Sequence, residues 1–440
     1  MEGFASPKQY ESLLEIEECI RFYPPDISEL KNSEYVFTSP KTIALYIHIP
    51  FCKSPCGFCP FNQYQYDEAK YARYFSALEK EIQLIMQKID FSLVNISSVW
   101  VGGGTPLDLS CEQLEMFLNI VTRNFQTSNV KEFTIEGKPV KNMITPEKLD
   151  ILKKYGVNRI SLGIQSTQEK YLRLLGRNYS FEQACDTINL ITSCGFKLNL
   201  DMIYNIPGET EEEVKIDVEQ IAKLNVEHIS WFHYISHTGT PLTNRFNSER
   251  VNLCRDKTQF FSMYESVLAI MQKYGYSQYT PYYYTNNEQC QYHIDRWKMP
   301  QLDVIGLGAG AFSTYNNWIY CNAHNLDLYI SELSEGRLPI SAGKKVSPKD
   351  AISKLVVLGC KFFDVSLEEF EEYAGVNFEN IYQNQIAELE KLGLITISEG
   401  FLRCTKKGQA FNNAVAASFS DEKYFSIGQP QPLLIRKEGL

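Results

Sequence analysis

Residues 46–61 read YIHIPFCKSPCGFCPF, and this stretch decides the fold. Cys52, Cys56 and Cys59 form a C-x3-C-x2-C pattern directly after a β-like run. Three thiolates on one short loop fill three metal positions and leave one vacant. A structural zinc site asks for four protein ligands. A catalytic zinc with three thiolates and a water fits the count, and His48 is a candidate fourth ligand. A [4Fe–4S] cluster on three thiolates leaves one iron open to a ligand electronically coupled to it, and such clusters favour cysteine. The cluster is the better match.

Outward from this loop, six segments read as strands rich in β-branched or aromatic residues. They are residues 42–50, 97–103, 132–138, 159–166, 197–204 and 228–235, with helical patterns between them. Tyr71, Phe75, Leu78, Ile82 and Ile85 recur at the spacing of one helix face. Thr210 with Glu213 and Ser180 with Gln183 form capping boxes. Alternation of this kind implies parallel βαβ units. The punctuation falls at the C-terminal strand ends, where barrel folds gather function: the cysteine loop, GGGTP (102–106), Glu136, Gln165 and Asp201. Six units imply an open, partial (β/α)6 TIM-like barrel of α/β class with a wide mouth.

The barrel is assigned to residues 41–240, after an N-terminal arm (1–40). A barrel-completing extension with a Gly-rich turn spans 241–345, with a helix over about 255–274. A winged-helix-like α+β domain follows at 346–420, then a tail at 421–440. Tyr282, Tyr283, Tyr284 and Trp318 read as core or as the wall of an aromatic pocket.

Composition narrows the class. The 440 residues carry 44% apolar and 13% aromatic side chains and a formal net charge of −10. This is a globular composition, and its acidity disfavours nucleic acid as a partner. No apolar run reaches membrane-spanning length, and the acidic start lacks a signal core. A cytoplasmic protein without a membrane partner is the expectation. The other nine cysteines, Cys19, Cys111, Cys185, Cys194, Cys254, Cys290, Cys321, Cys360 and Cys404, then read as reduced thiols, mostly in the core.

C-x3-C-x2-C after the first strand resembles the radical S-adenosylmethionine (SAM) superfamily. With GGGTP, SLGIQS (161–166), DMIYNIPGET (201–210) and GLGAGA (306–311), the chain is similar to the oxygen-independent coproporphyrinogen III dehydrogenase-like branch from about residue 40 to 420. The resemblance implies a radical SAM barrel with a [4Fe–4S] cluster and two SAM molecules, fed by flavodoxin or ferredoxin, in a monomer. It implies a first SAM near Tyr46, Gly103, Glu136, Ile235 and Phe312. Phe58, Gly104, Thr105, Gln165, Arg177 and Asp201 would surround the second. Each has a bland reading too: a turn glycine, a salt-bridged carboxylate, a packed ring, a solvated arginine. His233 and His237 end the sixth strand facing the mouth and are weak acid–base candidates; His48 is expected beside the cluster.

Three departures sort the branch. Phe61 stands where the porphyrinogen dehydrogenase carries a fourth cysteine. QYHIDRW (291–297) stands where the heme-chaperone relative carries H-N-x-x-Y-W. EGKP (136–139) replaces an E-[VA]-[ND]-P signature and looks more like the radical SAM methyltransferases of the branch. The leading expectation is therefore a class C-type methyltransferase or cyclopropanase. The 5′-deoxyadenosyl radical would take hydrogen from the methyl of the second SAM. The resulting methylene radical would add to an sp2 carbon of an aromatic, heteroaromatic or tetrapyrrole substrate. The alternatives are a tetrapyrrole enzyme, either heme-opening or decarboxylating, and a heme-binding chaperone.

Overall fold

The computed structural model describes residues 22–29, 41–140, 142–251 and 256–421. Most of the predicted arm, nearly all of the tail, Cys19 and Cys254 lie outside these residues. The six predicted strands form: β1 (Thr42–Ile49), β2 (Asn95–Gly103), β3 (Glu132–Gly137), β4 (Arg159–Gln165), β5 (Lys197–Tyr204) and β6 (His228–His233). Neighbours run parallel in chain order. The strands are buried nearly throughout because one face meets the lumen and the other the surrounding helices.

Helix formation follows the local signals. In Glu68–Met86 the five expected apolar positions all face inward, and Asp67 caps the first turn. The boxes at Ser180/Gln183 and Thr210/Glu213 are present, and a third at Ser110/Gln113 starts Cys111–Asn124.

The extension adds strands to both edges. β7 (Tyr283–Thr285) pairs antiparallel with β6. β8 (Asp303–Leu307) runs parallel beside β1, so the structure holds seven consecutive parallel strands where six units were expected. A long crossover reaches β8, so it breaks the strand–helix rhythm that reveals the other six. β9 (Phe312–Tyr315), β10 (Trp318–Asn322) and β11 (Ile340–Lys345) continue antiparallel, and Ser28–Glu29 of the arm pairs with β11. The sheet does not close. The turn between β8 and β9 comes close to β1: a Cβ on Gly308 would lie 2.5 Å from the His48 carbonyl oxygen. Glu81 secures this turn from behind, accepting from Gly308 N, Asn322 Nδ2 and Tyr329 Oη.

Helix Gln291–Trp297 plugs the N-terminal end of the barrel. Asp295 accepts from Ser97 and Ser98 of β2, and Tyr292 stacks on Trp100. Beside it Arg159 pairs with Glu132 at 3.0 Å, the two side chains 2% and 4% exposed. Cys290 and the Gln291 amide also donate to that carboxylate.

Residues 346–421 pack helices against a three-stranded sheet of Asp364–Ser366, Phe401–Cys404 and Ile395–Ser398. Phe411 meets Phe260 and Phe261, and Asn413 donates to Tyr282. Tyr282, Tyr283 and Tyr284 are core. Cys290, Cys321, Cys360 and Cys404 are buried, whereas Cys111, Cys185 and Cys194 are only half-buried. Among the described residues no helix is long and apolar enough to cross a membrane.

Arg159→Met would leave the Glu132 carboxylate buried without its cation. Urea denaturation is expected to show a loss of about 3–5 kcal/mol, largely recovered by adding Glu132→Gln.

Candidate functional site

The cysteine loop leaves the C-terminal end of β1 and is tied down along its length. Gly104 N donates to Ile49 O and Thr105 N to Phe51 O, both at 2.8 Å. Lys53 N donates to the buried Asp108 carboxylate at 2.9 Å. Leu242 N reaches Gly57 O, and Lys138 Nζ reaches Ser54 O, each at 2.9 Å. Cys52 and Cys56 are buried and Cys59 is half-buried.

Burial pushes the Cys52 thiol up, while the Lys138 charge and a 3.3 Å contact to Thr105 Oγ1 pull it back. Burial pushes Cys59 up to about 11. The charge of Cys56 reaches Cys52, and those of Cys56 and Cys52 reach Cys59, so the trio shares one region. Metal coordination is what deprotonates thiols in such a setting.

His48 is not available as a ligand. Its Nε2 faces the Asn62 carbonyl at 3.1 Å, so that nitrogen carries the proton, and Nδ1 accepts from Tyr46 Oη at 2.9 Å. Burial lowers its pKa to about 4, keeping it neutral. This removes the fourth ligand that a zinc site would recruit on the loop.

The glycine stretch ending β2 lies against the loop. Gly103 has φ +114°, and a Cβ there would meet His48 Cε1 at 2.6 Å. A Cβ on Gly104 would meet Phe51 O at 2.3 Å. Only glycine lets these backbones approach. On the neighbouring strand β3, Glu136 accepts from Trp100 Nε1 at 2.7 Å and from Gly103 N at 3.3 Å. Tyr46, Gly103 and Glu136 therefore come together. Phe312 joins this side, half-buried and stacked on Phe22 of the arm at 4.6 Å. Ile235 is half-buried just beyond β6.

The second set gathers around Arg177, 7% exposed. Its guanidinium lies over the Phe58 ring at 5.6 Å, and its charge reaches all three cluster cysteines. Gly163 leaves the space that Gln165 Nε2 and Arg177 Nη2 occupy: a Cβ there would lie 2.6 and 3.2 Å from them. Gln165 itself sits at φ +76° on a register shift in β4. Asp201 accepts from Ser161 at 3.0 Å and from Asn199 at 2.9 Å. Burial raises its pKa, against those donors and the Arg177 charge. Arg177 Nε and Nη1 are buried with no hydrogen-bond partner. Orphaned guanidinium donors are costly, and a carboxylate satisfies them in a fork. A ligand with a carboxylate, seated beside an anionic cluster, fits this vacancy.

One expectation needs correction. His233 does not face the mouth. His228 and Ser230 point to the lumen, where both meet Asn199, so strand alternation turns His233 outward. There it packs against Phe260 at 5.3 Å and Tyr204 at 6.4 Å. His237 is half-buried beyond the strand, its carbonyl capping the turn at Thr240. Trp100, Ser161, Asn199 and Lys138 were not anticipated. Polar residues in otherwise apolar strands were the available signal for Ser161 and Asn199.

Comparison with known proteins bears on the fold. The radical SAM superfamily model matches residues 46–221, and the HemN C-terminal domain matches 346–411. The chain thus carries a radical SAM region followed by a HemN-type C-terminal region. Heme chaperone HemW of Bacillus subtilis is 29% identical over 381 residues, covering 86% of this chain and 99% of the relative. HemW of Lactococcus lactis is also 29% identical, over 384 residues, with 86% and 97% covered. The solved structure of coproporphyrinogen III oxidase HemN from Escherichia coli shares the fold, with TM-score 0.75, 23% identity, and 95% and 94% of the two chains covered. The radical SAM fold implies a [4Fe–4S] cluster and SAM. Cys52, Cys56 and Cys59 are the residues that would hold the cluster.

Two outcomes follow for the anaerobically reconstituted protein. Gly104→Ala, forced against Phe51 O, is expected to lower iron per chain several-fold. Arg177→Met should keep its iron but bind SAM at least tenfold more weakly by calorimetry, a loss of about 1.4 kcal/mol.

Proposed function

We propose that this chain is a catalytically competent radical SAM protein that acts on a tetrapyrrole. The observation that carries the reading is a buried Arg177 with unfilled donors whose charge reaches all three thiols of the cysteine loop. The bound cluster and SAM would supply one-electron reductive cleavage of the sulfonium. The chain's own residues would orient and shield: Arg177 holding a carboxylate, Glu136 facing polar groups of the nucleotide or its ammonium, and Phe58 covering the vacancy. The tetrapyrrole is supported by the relatives, heme chaperones matched along nearly their whole length. A one-electron donor such as flavodoxin or ferredoxin is the expected partner.

Chaperoning without chemistry fits less well. Helix Gln291–Trp297 stands at the place of the chaperone motif, yet it is packed into the barrel. His293 is buried and stacked on Tyr283 at 3.9 Å, and burial holds its pKa far below the usual histidine range. It is not displayed to ligate an iron. Methylene transfer remains a second reading, favoured by the second residue set around Arg177, Phe58, Gln165 and Asp201.

The test is anaerobic incubation with SAM, dithionite and either hemin or coproporphyrinogen III. A shifted Soret band, or product mass, together with tetrapyrrole-stimulated 5′-deoxyadenosine supports the proposal. Heme binding without that stimulation supports the chaperone. Neither binding nor stimulation rejects both. With methyl-deuterated SAM, label in 5′-deoxyadenosine and product supports methylene transfer, and its absence rejects it.

A further inference from the structure

We propose that Lys138 is a positioning residue for the cluster, an internal cation that both anchors the cysteine loop and favours the reduced state. It lies two residues beyond Glu136, just past β3, and is 8% exposed. Its ammonium donates to Ser54 O at 2.9 Å, and Ser54 sits midway between Cys52 and Cys56. Among the described residues no carboxylate lies within ion-pair distance of it. A buried ammonium with a single carbonyl acceptor and no counter-ion is costly unless an anion stands nearby. The site supplies one.

Charge is the distinctive part. The signature E-[VA]-[ND]-P places a neutral or acidic residue where EGKP places lysine. Arg177 acts on the thiols as a second buried cation. A cluster on three thiolates is anionic, and the electron it accepts from an outside donor adds another negative charge. Net charge around a cluster sets its potential, and inside a protein the opposing charge is weakly screened. Lys138 thus makes reduction easier before SAM arrives. The inference rests on the cluster alone and stands or falls independently of the tetrapyrrole reading.

The experiment compares wild type, Lys138→Gln and Lys138→Arg after anaerobic reconstitution, without SAM or substrate. It reads iron and sulfide per chain and an EPR-monitored potentiometric titration. Lys138→Gln is expected to be reduced at least tenfold less favourably at a given potential, a downward midpoint shift of about 59 mV or more. Lys138→Arg should stay near wild type. Loss of iron in Lys138→Gln with retention in Lys138→Arg also supports the proposal. It is overturned if Lys138→Gln keeps the wild-type midpoint, if Lys138→Arg falls as far as Lys138→Gln, or if both variants lose their iron.

Discussion

Buried charge is the constraint around which this barrel is organised. Ionised side chains inside a protein must be paired or hydrogen-bonded. At the N-terminal end of the lumen that condition is met internally. Glu132 takes Arg159, Cys290 and the Gln291 amide, and Asp295 takes Ser97 and Ser98. The plug helix completes these pairings and closes the floor. At the C-terminal end the condition is not met by protein alone. Among the described residues Arg177 keeps unfilled donors, and Lys138 has a carbonyl but no carboxylate. The floor is thereby a stability element and the mouth the candidate ligand site, as expected when function collects at strand C-termini.

Backbone proximity is the second determinant. The cysteine loop, the glycines ending β2 and the turn after β8 converge within van der Waals limits that exclude side chains at Gly104 and Gly308. The loop is then fixed by Asp108, Lys138, Thr105 N and Leu242 N, contributed by three different segments. Such over-determination fixes the backbone path of the loop that carries the three cysteines. Glu81 and Tyr329 give the turn after β8 comparable support from the helix side.

The site was legible in the sequence to the degree that its chemistry is local. The cysteine spacing, the glycine run and the isolated carboxylates Glu136 and Asp201 each mark a position in one strand or loop. Arg177 and Lys138 were harder to weigh, because a basic residue after a helix or strand reads equally well as solvated. Only burial distinguishes them. His233 was misjudged because its direction depends on strand phase, which Asn199 sets through His228 and Ser230. The subtype was also legible only in part. The departures at Phe61, EGKP and QYHIDRW separate this chain from named relatives, but they do not reveal which substrate enters.

The sequence alone determined the six β/α units, the cluster loop and the capped helices, because periodicity and capping act over a few residues. It also determined that three thiolates and no fourth stand in the loop. The tertiary structure decided the rest: the seventh parallel strand, the plug in the barrel floor, the commitment of both His48 nitrogens, and the two buried cations beside the sulfurs. These depend on contacts between segments far apart in the chain, where desolvation and close packing choose among partners that no local pattern specifies.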